Sequence, residues 1–230
     1  MALAPGESSE TFIREVDENL RRDRAEDFFR RYGKWVIVAV VLLLAAAGGY
    51  LWWQSRQQAN TAAQSEQLAA VIQDVTSGNA RNADARLAQI AAQGGDYGAL
   101  AQMTQGALAL QNGDRAKALA AYQAVAGNDD HPQAIRDAAL LRQTALEFDT
   151  MKPEAVIARL QPYVQPGNPW FGTAGEMTAM AMLKQNRRTE AGRLFGQLAA
   201  DKALPSSLRS RAVQIAGTLG VDATAQMPGA

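Results

Sequence analysis

The chain has 230 residues, with 23 Lys and Arg against 23 Asp and Glu and no Cys, which is room for one ordinary domain plus a membrane segment. The balanced charge gives no reason to expect nucleic-acid binding, which needs a basic face, and the lack of Cys rules out disulfides, zinc–thiolate sites and thiol nucleophiles. Abundant Ala and Gln, few Val and Ile outside 36–41, and sparse, clustered Pro favour helix nearly throughout. No run alternates with period two over enough length to suggest strands.

Residues 1–34 read as a cytoplasmic segment. The first nine look disordered. From Glu10 a helix is expected, with Phe12, Ile13, Val16 and Leu20 at helical spacing and Phe28 and Phe29 approaching a membrane interface. Its apolar side is either interfacial packing or a docking surface for a membrane partner, which makes Phe28 and Phe29 candidate partner-binding residues.

The next nineteen residues, Trp35 to Trp53, contain no charge. At about 1.5 Å per residue they span roughly the ~30 Å hydrocarbon core of a bilayer. Trp35 at one end and Tyr50, Trp52 and Trp53 at the other form an aromatic belt. Six Lys or Arg stand in the twenty residues before this run and one, Arg56, in the twenty after it. By the positive-inside rule the N-terminus is cytoplasmic and the remainder lies outside, in a bacterial periplasm. Ala45-Ala46-Ala47 has the small residues of a signal-peptide cleavage site. The long acid-containing stretch ahead of it, and the apolar run continuing through Trp53, argue instead for an uncleaved anchor. The helix is expected to continue past the membrane to a Ser77-Gly78-Asn79 stop.

Residues 80–220 repeat. Around Asn112-Gly113 one helix ends at a glycine cap and another begins at Asp114, carrying Ala118, Tyr122 and Val125 at i, i+4 and i+7. This resembles the second half of a tetratricopeptide repeat, and Gly106 sits where such repeats favour a small residue for close helix approach. Ala83, Leu87 and Ile90 form a similar set, as do Val156, Leu160 and Tyr163, and Ala191, Phe195 and Leu198. The leading positions are 35, 38 and 35 residues apart. A pair of this kind cannot bury its stripe alone, so the pairs are expected to stack into an all-α solenoid over 54–220. Breaks at 93–96, 127–132, 166–169 and 204–207 carry Gly, Pro, Asn, Asp or Ser. A one-sided helix with Leu208, Ala212, Ile215 and Leu219 suits a terminal cap, leaving 221–230 as a disordered tail.

Catalytic chemistry is not expected. His131, beside Asp129 and Asp130, has no second cluster of metal ligands. There is no phosphate-binding Gly-rich loop, so no cofactor is expected. Glu147, Asp149 and Glu154 read as solvated helix-end charges. Met177, Met180 and Met182 share one helix, with Trp170 and Phe171 at its start. They are either core packing or an adaptable groove for apolar segments of unfolded chains. Leu100, Met103, Ala107 and Leu110 would face the groove in strict repeat register, and a one-residue shift exchanges the two faces. Leu100, Met103, Trp170, Met177 and Met180 are therefore the candidate partner-binding residues of the repeat domain.

The whole plan resembles the YfgM-like ancillary subunits of the bacterial SecYEG translocon. Phe28, Phe29, Gly33 and Lys34 before the anchor are similar to that family's Phe-Phe and Gly-Lys. Tyr97, Gly98, Ala99, Leu100 and Ala101 are similar to its helix start. The longer acidic N-terminus and Pro169-Trp170 depart from it. The resemblance implies a non-enzymatic, single-pass inner-membrane protein with a periplasmic domain. It also implies partners: the translocon, a membrane-anchored periplasmic chaperone, exported polypeptides and membrane lipid. A tetratricopeptide scaffold for another cell-envelope assembly is the alternative, since the fold binds peptides generally.

Overall fold

Ala-rich sequence punctuated by Gly and Pro propagates helix between its breaks, and helix dominates the computed structural model. The backbone is described for residues 7–79 and 81–226, and side chains for 30–79 and 81–226. Among these residues no strand occurs, and the fold is all-α. The helices are α1 (Glu7–Thr76), α2 (Ala83–Ala92), α3 (Gly95–Gln111), α4 (Arg115–Ala126) and α5 (Gln133–Glu147). They continue with α6 (Pro153–Leu160), α7 (Phe171–Lys184), α8 (Arg188–Ala200) and α9 (Ser206–Thr218). Single 3-10 turns occupy Gln161–Tyr163 and Thr224–Gln226. The chain divides into two compact units, Met1–Ala63 and Gln64–Ala230.

In the first unit, α1 carries the one described stretch long and apolar enough to cross a membrane, and none of its apolar window is covered by protein. Trp35, Leu43, Leu44 and Trp52 all stand exposed. An apolar run of this length without protein cover is a candidate membrane span, because water is the wrong solvent for it. At its far end the Tyr50 and Trp53 rings lie 6.3 Å apart, and the Arg56 guanidinium sits 5.2 Å over the Trp52 ring. A cation on an aromatic face keeps its charge at the wet edge while its stem lies on apolar surface. Phe28 and Phe29 fall within α1, and their side chains lie outside the described residues.

The second unit begins with the last turns of α1, which bury Leu68 and Val71. The helix stops where expected. Gly78 takes φ +83°, and the Asn79 amide donates to the Asp74 carbonyl at 2.8 Å, closing the end with a left-handed cap. The break at 93–96 is shorter than expected, because Gly95 already opens α3. Asp114 caps α4 by accepting from the Lys117 amide at 2.9 Å.

Helices then pair: the end of α1 with α2, α3 with α4, α5 with α6, and α7 with α8, while α9 closes the stack against α8. The repeated triplets lie in the core. Ala83, Leu87 and Ile90, Ala118, Tyr122 and Val125, and Ala191, Phe195 and Leu198 are all buried, as are Val156 and Leu160. Tyr163 is partly buried and joins the Leu141, Val156 and Leu160 cluster. Sixteen residues before each large residue of the triplet stands another buried position, giving Val71 for Leu87, Gly106 for Tyr122, Thr144 for Leu160 and Ala179 for Phe195. Bulk on one helix is matched by its lack on the other, as close packing at fixed helix separation requires.

Two further expectations change. Glu147 is not a solvated charge. Its carboxylate pairs with Arg159 at 2.6 Å and accepts from Gln143, tying α5 to α6 from a partly buried position. The segment after α9 is not a loose tail as far as Gln226. Val221 and Ala223 pack on the core formed by α7, α8 and α9. They can do so because Gly192 leaves room: a Cβ there would lie 2.9 Å from Val221 Cγ2 and 3.1 Å from Leu219 Cβ. Arg209 also donates to the Gln226 carbonyl at 3.2 Å.

Candidate functional site

Among the odd-numbered helices α3 lies against α5 and α5 against α7, so these three share a face. On each odd helix the side of Val71, Gly106, Thr144 or Ala179 turns to the even partner. The residue one step on, about 100° around the helix, points away: Ile72, Ala107, Ala145 and Met180. Ile72 is 41% exposed and Met180 42%, while Leu100 and Leu110, on the same side of α3, are 39% and 37% exposed. In the second unit these four are the large apolar side chains left exposed among the described residues. Scattered apolar exposure is ordinary, whereas here Ile72 and Met180 share one repeat position and Leu100 and Leu110 lie on the corresponding side of α3.

The local reason for this face lies in the sequence. Small residues take the tight contacts of α3. A Cβ on Gly98 would lie 3.1 Å from the Ala91 carbonyl oxygen and one on Gly106 2.6 Å from Tyr122 Cε1. Ala99 and Ala101 are fully buried. With packing taken over by Gly and Ala, the larger Leu100 and Leu110 remain outside. Leu100 and Leu110 thus stand on the open side as the strict repeat register has them, whereas Met103 packs inward. Gln105 is partly buried and donates to the Asp84 carbonyl at 3.2 Å.

The candidate residues separate into two groups. Leu100 and Met180 stand on the shared face. Met103 is partly buried against Ala99, Val125 and Ala139 on one side and Ala109, Ala118 and Tyr122 on the other. Trp170 and Met177 are partly buried against Leu141, Val156, Leu160 and Ala174. The Trp170 amide is held by the Asn168 carboxamide oxygen at 2.8 Å, so the Pro169-Trp170 departure serves the α6–α7 turn. Ile72 was not singled out from sequence. Its signal is its place one residue after Val71, visible once Leu87 is aligned with Tyr122 and Phe195.

Polar groups around this face are mostly spent on one another. Lys184 pairs with Asp149 at 3.0 Å and lies 4.3 Å over the Phe148 ring, and Glu176 meets Arg211 at 2.7 Å. Tyr163 donates to Asp137 at 2.7 Å. Burial first, then that hydrogen bond and the Asp137 charge, push its phenol up to about 12. In the 127–132 loop His131 Nε2 lies 3.3 Å from the Asn128 side-chain Nδ2, and Asp129 pairs with Arg136. Among the described residues no three His, Asp or Glu side chains gather to hold a metal ion.

Residues 26–217 match the family described as tetratricopeptide repeat-like domain. Comparison with curated proteins and with solved structures returns no match.

Proposed function

The chain belongs to the tetratricopeptide repeat-like domain family, and from that premise we propose that it is a membrane-anchored, non-enzymatic adaptor holding extended protein segments on the odd-helix face. Domains of this kind are protein–protein interaction scaffolds. The observation that carries the reading is the exposed apolar row of Ile72, Leu100, Leu110 and Met180. An extended segment gains affinity there by covering apolar surface, and several repeats in line give it length. The uncharged run Trp35–Trp53 is the anchor. The excess of Lys and Arg before it supports a cytoplasmic N-terminus and a periplasmic repeat domain in the bacterial inner membrane.

The partners best supported are those implied by the resemblance to ancillary SecYEG subunits: the translocon, a membrane-anchored periplasmic chaperone, and chains emerging from export. An anchor confines the domain to a thin layer at the membrane, so weak contacts suffice at high effective concentration.

Photocrosslinkers in place of Leu100 and Met180, and for contrast at exposed Ala124 on α4, test this in native membranes. Adducts with translocon subunits, the chaperone or exported chains are expected from the first two positions and not the third. Equal labelling from Ala124 refutes the face. Recovery of a different envelope machinery alone refutes the partner assignment.

A further inference from the structure

One cation interrupts the apolar row. α3, α5 and α7 together carry Arg136, Arg142 and Lys184 and no other basic residue. Arg136 is paired with Asp129 and Lys184 with Asp149. Arg142 is exposed and makes no hydrogen bond or ion pair among the described residues. It stands two residues before Thr144, the place that Thr104 holds on α3 and Met177 on α7, so the same register is uncharged on both neighbouring helices. That place lies within about 60° of Ala145 around the helix, on the exposed side. Most acids on these helices are occupied: Asp137 by Tyr163 and Gln133, Glu147 by Arg159, and Glu176 by Arg211. Asp96, in the first turn of α3, is the exception.

A segment laid across α3, α5 and α7 covers Arg142. If that segment is uncharged there, the guanidinium loses water and gains nothing, which penalises binding. A carboxylate at that point returns charge-assisted hydrogen bonds to a planar fork built for them. We propose that the preferred occupant is a protein segment with an acidic side chain flanked by apolar residues. The carboxylate meets Arg142 while its neighbours cover Leu100 and Leu110 on one side and Met180 on the other. This rests on the adaptor reading above and adds a charge selectivity to it.

The test uses the full chain in lipid nanodiscs and a labelled, capped heptapeptide, Ala-Leu-Phe-Glu-Leu-Phe-Ala, with versions carrying Gln or Lys in place of the Glu, read by fluorescence anisotropy against empty nanodiscs. The Glu peptide is expected to bind on the order of tenfold tighter than the Gln peptide, the value of one charge-assisted contact, and the Lys peptide more weakly than either. Salt narrows the gap. Arg142→Gln weakens the Glu peptide and tightens the Gln peptide, because the uncompensated guanidinium is gone, so the preference between them disappears, whereas Met180→Ser weakens all three. Equal binding of the three peptides to the natural chain overturns the charge selectivity alone, as does a Glu preference that survives Arg142→Gln. Failure of all three to bind overturns the adaptor reading together with it.

Discussion

Gly106→Ala measures whether the α3–α4 contact is set by the absence of a side chain. In a helix this exchange normally helps, by about 1 kcal/mol of propensity. Here the new Cβ lies 2.6 Å from Tyr122 Cε1, 2.9 Å from Cζ and 3.1 Å from Cδ1, against a comfortable carbon–carbon separation of about 3.5–4.0 Å. The ring has to retreat by roughly 1 Å from a favourable contact distance. Tyr122 is fully buried among Ala109, Ala118, Met103 and Leu146 and has little room to retreat. Overpacking of this severity costs about 3 kcal/mol; after the propensity gain, about 2 kcal/mol of net destabilisation remains. Gly217→Ala is the control, because a Cβ there meets nothing within 4 Å, and a gain of about 0.5–1 kcal/mol is expected. Thermal melts followed by far-ultraviolet circular dichroism, with denaturant titrations of the same variants, give both signs. Adding Tyr122→Leu to Gly106→Ala removes the clash, so the pair is expected to be coupled by at least about 1 kcal/mol. A neutral or stabilising Gly106→Ala, or strict additivity with Tyr122→Leu, refutes size-matched packing between these helices.

Three further outcomes are expected. Phe195→Ala, which empties a buried ring position between α7, α8 and α9, lowers stability by about 3–5 kcal/mol in denaturant titrations. A fragment of residues 64–230 folds by itself and melts cooperatively, since its core is complete without the apolar run; non-cooperative melting refutes this. The Tyr163 phenol, raised to about 12 in the fold, binds its proton more tightly than in the unfolded chain. Its stabilising contribution is full below about pH 10 and lost as pH rises towards 12, so Tyr163→Phe flattens the fall in melting temperature across that window.

How much was legible in the sequence depended on whether a signal was local. The Gly78 stop, the helix start at Asp114 and the Gly113 break rest on a few adjacent residues and on backbone physics, and each stands where the sequence put it, while the apolar run lies on a helix that is a candidate membrane span. The triplets were legible because helical periodicity puts i, i+4 and i+7 on one side whatever the partner. Glu147 was misread because its partner, Arg159, comes from another helix, and charge alone does not tell a solvated end from a bridge. Residues 221–226 were misread because their docking depends on an empty space at Gly192, more than two dozen residues earlier.

Sequence alone determined that this is an all-helical repeat chain with a lipid-length apolar segment, because length, charge and period act along the chain and need no knowledge of neighbours. Tertiary structure decided which side of each helix remains outside. Leu100, Met103 and Met177 are equally apolar on paper. Leu100 is left exposed because glycine and alanine fill the contacts of α3, while Met103 and Met177 are drawn into the clusters beside Tyr122 and Leu160. Exposure is a property of how two surfaces meet, and the sizes of residues on both helices jointly fix it.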